Sequence, residues 1–165
     1  TLLVPLSGGG LAAGVALAAK TIKPDLRIIG VSMDRGAAMQ ASLAAGHPVA
    51  VTEYPSLADS LGGGIGLENR HTFAICRDLL DEVVLVSEAA IRDAMQALFT
   101  HDRMVAEGGA VVGLAAVLTG AVALTGPSAT ILTGRNTDMA TFADIVAGRD
   151  LNIGDIFLKG RQHGA

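Results

Sequence analysis

The chain has 165 residues, half of them apolar and only 17% charged, which suits one domain with a buried core and argues against a disordered chain. A net charge of -4 with no Lys/Arg cluster argues against a nucleic-acid partner. No run reaches the roughly 18 uncharged apolar residues of a membrane span, and a single cysteine, Cys76, excludes a disulfide framework or a Cys-based metal site within the chain.

Aromatic residues are only 3% and Trp is absent, so the core must be Ala, Leu, Val, Ile and Gly, which suits helices packed tightly on a parallel sheet. Residues 2–6 read as a strand. Residues 9–22 read as a helix with Leu11, Val15, Ala18 and Ile22 on one face, stopped by Pro24. A second strand is expected over 27–33, a short Ala-rich helix over 36–45 closed by Gly46, irregular chain over 49–66 and a helix over 67–80 that buries Cys76. Residues 82–86 read as a third strand, followed by the N-cap Ser87 and a helix that turns Ile91, Met95 and Leu98 inward. A further helix is expected over 109–124, a fourth strand over 129–133 and a closing helix over 139–147, after which the pattern fades. The alternation predicts parallel strands joined by right-handed crossovers. The domain is set at 1–148, with a C-terminal tail over 149–165. The chain starts in a buried strand with no initiator Met, so it is expected to be a fragment whose sheet has further neighbours. No basic n-region of a signal peptide is present, and a reducing cytoplasm is the expected setting.

The strongest local signal is Ser7-Gly8-Gly9-Gly10-Leu11 between a strand and a helix. Glycines let the backbone turn sharply and bring N–H groups close to an anion, and the helix adds unpaired N–H groups and a positive dipole end. A phosphate is the natural guest, with Ser7 as a further donor. The same residues, as Gly8-x-Gly10-x-x-Ala13, also satisfy the dinucleotide fingerprint, with Asp34 as the ribose-binding acid, so an NAD(P)-binding Rossmann-like module is the rival reading.

Five later stretches separate these readings. They are Ala58-Asp59-Ser60-Leu61 with its glycine run, Leu79-Leu80-Asp81-Glu82-Val83, Val86-Ser87-Glu88-Ala89-Ala90-Ile91, Ala106-Glu107-Gly108-Gly109-Ala110, and Ala129–Asn136 running into Gly134. Taken in order with the first loop, they resemble the pyridoxal-phosphate (PLP) enzymes of fold type II, in the threonine and serine dehydratase group. Within that group the chain resembles the hydroxyectoine-utilisation dehydratases rather than the threonine enzymes. The resemblance implies a three-layer α/β fold with a mostly parallel sheet flanked by helices, the large-domain part of the tryptophan synthase β-like fold. It implies a lyase that uses pyridoxal 5'-phosphate to eliminate from a small hydroxy-amino acid, threonine- or serine-like or hydroxyectoine-derived, and that commonly works as a homodimer.

The resemblance also assigns roles. Ser7 and the amides of Gly8, Gly9, Gly10 and Leu11 bind the cofactor phosphate, and Thr133 places its hydroxyl near the pyridine nitrogen. A neutral hydroxyl cannot hold a proton on that nitrogen, so the ring is a weaker electron sink and elimination is favoured over transamination. Glu107 is expected near the ring, the backbone of Leu61 and Gly62 along its face, and Asn136 pinning the last turn. The Schiff-base lysine is absent, since Lys20, Lys23 and Lys159 all lack the family's context; the family places it upstream. No catalytic residue is therefore assigned, the N-terminal half of the enzyme is the missing partner, and this chain alone is expected to be inactive. Ser32 and Ala38 stand where several relatives have metal-binding acids, so no cation is expected there. Arg135 replaces a glycine and reads as solvated or as an anion contact. His47, His71 and His101 read as structural or surface residues.

Overall fold

In the computed structural model, which describes residues 1–162, four parallel strands form the central sheet. In chain order the elements are β1 (Leu2–Pro5), α1 (Gly10–Ile22), β2 (Ile28–Met33), α2 (Ala38–Ala45), α3 (Thr72–Leu79), β3 (Glu82–Val86), α4 (Glu88–Asp102), α5 (Val112–Leu118), β4 (Ala129–Thr130), α6 (Met139–Val146), β5 (Leu151–Ile153) and β6 (Ile156–Leu158). The sheet order is β3-β2-β1-β4. The chain therefore runs outward from β1 through β2 to β3, then returns to the other side of β1. That reversal makes the crevice between the ends of β1 and β4 the topological switch point, where open α/β sheets bind ligands.

Alternation along the strands sorts the core into two layers. Leu3, Ile29, Val31, Met33 and Val86 face a cluster with α4, α5 and α6. Val4, Leu6 and Ile28 face a second cluster with α1, α2 and α3. The three-layer arrangement that the resemblance implies is thus present. Each fully buried Leu, Ile or Val contributes about 1.5–3 kcal/mol.

The inward face of α1 differs from the expected one. Ala12, Ala13 and Ala16 are buried, while Leu11 and Ile22 are exposed. The helix is apolar on nearly every side, so periodicity could not select a face. The alanines go inward because small side chains let the helix lie close to the sheet and to α3. The helix expected over 109–124 is shorter, a 3-10 turn at Gly108–Ala110 and then α5, because Gly120 takes a left-handed conformation (φ 72°) just past its end. The fourth strand pairs regularly only over Ala129–Thr130, with Ile131 N donating once more to Leu3 O at 3.3 Å. The helix expected over 67–80 begins at Thr72.

The stretch where the pattern fades carries an antiparallel hairpin, β5 with β6, whose Leu151 and Leu158 join the larger core cluster. Arg35 makes two hydrogen bonds to the Asp155 carboxylate, at 2.9 and 3.0 Å, and stacks over the Tyr54 ring. Residues 163–165, the end of the expected tail, lie outside the described residues.

Candidate functional site

β1 and β4 run parallel, with Leu3 opposite Thr130, so their continuations leave the sheet side by side. One continuation is Ser7–Leu11 and the other Leu132–Gly134. They meet in a cleft of about 260 Å³ lined by Pro5, Ser7, Gly8, Gly9, Gly10, Leu11, Ser60, Leu61, Glu107 and Thr133. All six residues that the sequence proposes for the cofactor therefore share one cavity. Asp34, the acid on which the dinucleotide reading depends, is exposed at the end of β2 and does not line it.

The glycine turn is closed to a larger residue at its centre. Gly9 takes φ 87°, a region L side chains rarely enter, and an added methyl there would lie 2.6 Å from Met39 Cε and 3.0 Å from Cys76 Sγ. α1 starts at Gly10, and its first closing bond is Ala13 N to Gly9 O at 2.8 Å. Among the described residues, the amides of Gly8 to Ala12 donate to no protein acceptor. They form a row of N–H groups at the positive end of a 13-residue helix. The Ser7 and Thr133 hydroxyls also have no hydrogen-bond partner among the described residues.

The opposite wall is built where two backbones cross. Residues 57–61 lie directly on Gly108: an added methyl would strike the Leu57 carbonyl and come within 2.9 Å of Ala58 N. Ser60 Oγ donates to Glu107 Oε1 at 3.1 Å, and Glu107 N donates to Gly134 O at 3.2 Å. Gly134 leaves room for the Glu107 carboxylate, whose atoms would lie 2.9–3.0 Å from a methyl there. Glu88, only 3% exposed at the start of α4, accepts from Leu57 N at 2.8 Å and anchors this wall from behind. Its other oxygen is buried with no partner.

Asn136 does not pin the last turn, because its side chain has no hydrogen-bond partner among the described residues. The Glu107–Gly134 bond and Thr137 N to Arg135 O, at 3.0 Å, hold the turn instead. Arg135 lines a neighbouring hollow with Met104 and Val105 and not the cleft, and Gly62 lies outside the lining.

Sequence reasoning missed the support beneath the glycine turn. Thr72 Oγ1 donates to Gly8 O at 2.6 Å, and Asn69 Nδ2 donates to Thr72 Oγ1 at 2.8 Å. Cys76 Sγ lies 3.8 Å from Gly9 O, fully buried, and burial pushes its thiol up to about 11. Lys20 pairs with Asp81 at 2.9 Å and Lys159 with Asp150 at 3.3 Å; none of the three lysines lines the cleft. His47, His71 and His101 are exposed.

The donor set fits a phosphorylated pyridine: the four amides of Gly8–Leu11 at a helix end for the phosphate, and a neutral hydroxyl just past the end of the adjacent strand. Fold and site together define an α/β domain of the PLP-binding class. The chain belongs to the pyridoxal-phosphate dependent enzyme family, whose model matches residues 1–134. It is 56% identical over 148 residues to a Sinorhizobium fredii protein assigned as a threonine dehydratase, covering 89% of this chain and 45% of that protein. It is 39% identical over 159 residues to the L-threonine ammonia-lyase of Geobacter sulfurreducens, covering 96% of this chain and 39% of that one. Among solved structures it superposes on maize serine racemase with a TM-score of 0.77 and 34% identity, covering 87% of this chain and 45% of that one. The chain thus spans under half the length of these relatives. Among the described residues, no helix is long and apolar enough to cross a membrane.

Proposed function

We propose that the complete protein is a PLP-dependent dehydratase, or ammonia-lyase, that removes the β-hydroxyl and the amino group of a small hydroxy-amino acid to give a 2-oxo acid and ammonia. The observation that carries the reading is the single cleft uniting the amides of Gly8–Leu11 with the hydroxyl of Thr133. When bound, the cofactor supplies the electron sink that makes the substrate Cα–H acidic.

In this proposal the amides of Gly8, Gly9, Gly10 and Leu11, with the Ser7 hydroxyl, hold the phosphate dianion, and the α1 dipole adds to that attraction. Thr133 offers a neutral hydroxyl to the ring nitrogen, where a carboxylate would retain a proton. Leu61 gives the ring an apolar face, while the Ser60–Glu107 pair closes the polar wall beside it. The upstream half of the protein provides the lysine that moves the α-proton, and two copies form a dimer. The resemblance to threonine and serine enzymes supports a hydroxy-amino acid of that class, with a hydroxyectoine-derived one as the competing substrate. A single buried thiol suits a reducing cytoplasm.

The test is expression of the complete protein with PLP, followed by ammonia and 2-oxo acid measurement with threonine, serine and the hydroxyectoine-derived acid. Cofactor uptake with release of one ammonia per 2-oxo acid is expected. Absence of PLP uptake, with tight NAD binding that is lost in D34A, overturns the proposal in favour of a dinucleotide module.

A further inference from the structure

The anion loop is not free to choose which of its groups face the cleft, because α3 holds it from behind. Peptide units are planar and trans, so a carbonyl oxygen and the following N–H point in opposite directions. Gly8 O is engaged by the Thr72 hydroxyl at 2.6 Å, on the α3 side of the loop. The N–H of Gly9 is therefore turned away from α3, toward the cleft that Gly8, Gly9 and Gly10 line.

The hydroxyl has one proton, and its neighbours decide where that proton goes. Asn69 Nδ2 donates to Thr72 Oγ1 at 2.8 Å and to Ile65 O at 2.9 Å, so it occupies a lone pair of the hydroxyl. Asn69 Oδ1 lies 3.1 Å from Thr72 Oγ1 but already accepts from Phe73 N at 2.9 Å. The shorter contact, to Gly8 O, takes the proton. A directed chain thus runs from the first turn of α3 through Asn69 and Thr72 to the Gly8–Gly9 peptide.

We propose that Thr72 is a positioning residue for the phosphate: with Asn69 it fixes the Gly8–Gly9 peptide so that the Gly9 amide stays aimed at the anion. This deepens the function proposed above and rests on it. Flipping that peptide would remove one donor and turn a carbonyl oxygen toward a dianion, so the penalty falls on phosphate and spares the ring.

The test compares uptake of PLP with that of pyridoxal, which lacks the phosphate, in the complete protein carrying T72V, T72S or N69D. Loss of one charge-assisted hydrogen bond predicts about tenfold weaker PLP binding for T72V, pyridoxal binding within about twofold of wild type on the same grounds, and recovery by T72S. N69D keeps the side chain's volume but offers an acceptor to Thr72, which draws its proton from Gly8 O, and it should reproduce the T72V split. If T72V does not fold, N69D decides the matter alone. Equal weakening of PLP and pyridoxal, or no weakening of either, overturns the proposal. If the wild-type protein takes up no PLP, the dehydratase reading fails. The positioning role is then read from the Gly9 amide resonance, which should shift on addition of inorganic phosphate in wild type but not in T72V; no shift in wild type overturns it too.

Discussion

Two glycines that support the wall of the cleft should respond very differently to the same added methyl. At Gly108 the methyl would strike the Leu57 carbonyl, and backbone cannot rotate aside as a side chain can. A comfortable carbon–oxygen separation is about 3.5 Å, so residues 57–61 must retreat by well over an ångström. Overpacking of this kind costs about 1–3 kcal/mol. The retreat also breaks the bond from Leu57 N to the buried Glu88 carboxylate, whose second oxygen is already unpartnered, adding about 1.5–3 kcal/mol. G108A is therefore expected to lose about 2.5–6 kcal/mol, a fall in melting temperature of roughly 5–24 °C for a domain of this size. At Gly134 the methyl meets only the far end of Glu107, 2.9–3.0 Å away, and that carboxylate can swing. G134A should stay within about 1 kcal/mol of wild type. It displaces Glu107 from Ser60, and turnover by the complete protein should fall by about tenfold with cofactor uptake intact. Thermal unfolding and ammonia release, measured on both variants, check the pair. Equal melting temperatures for G108A and wild type would refute the crossing of residues 57–61 over Gly108. A G134A protein as unstable as G108A would refute the claim that only a side chain is in the way.

The Cys76 thiol, raised from 9.0 to about 11 by burial, should resist a disulfide reagent at pH 8 in the native protein and react at once on denaturation. Because the folded value lies above the unfolded one, its stabilising contribution is complete below pH 9 and is lost as pH rises through 11; a pH series of unfolding midpoints on wild type and C76A reads the difference. Burial works to raise the Asp81 carboxyl, but the Ile28 amide at 2.7 Å, Lys20 at 2.9 Å and Arg27 outweigh it and hold it below the usual range. Its contribution is therefore present above the ordinary value of 3.8 and lost as pH falls through the depressed one. D81N should cost about 1 kcal/mol at pH 7 after discounting for exposure and should flatten the acid limb of the stability curve. Ser87 accepts from Ala90 N at 3.3 Å as the N-cap of α4, and S87A should cost about 1 kcal/mol in denaturant unfolding.

What the sequence made legible was local in origin. The Ser7–Leu11 loop, the Ser87 cap, the Gly46 closure of α2 and the inward stripe of Ile91, Met95 and Leu98 each follow from residues within a few positions of one another. What it hid depends on distant chain. The alanine face of α1 is chosen by the sheet and α3, so a helix apolar on most sides gave no sign of it. The hairpin after Arg149 has strands of three residues, too short for alternation to show, and it is held by distant partners such as Arg35. Asn69 and Thr72 read as ordinary polar residues at a helix start. Only the fold brings the Thr72 hydroxyl to Gly8, 64 positions away.

The same contrast explains why the cleft could be anticipated while its mechanics could not. The first loop and Thr133 follow strands that the sheet places side by side, so once a parallel sheet is granted their meeting is forced by register. The mechanics behind the cleft work through groups that do not line it: Thr72 behind the glycine turn, Glu88 behind residues 57–61, and Gly134 making room for Glu107. Each acts on backbone or on another side chain, through a contact between segments far apart in sequence. Their loss should therefore appear as altered partitioning between phosphate and ring, or between stability and turnover, rather than as outright loss of fold. That distinction is what the paired variants at residues 72, 108 and 134 are chosen to read.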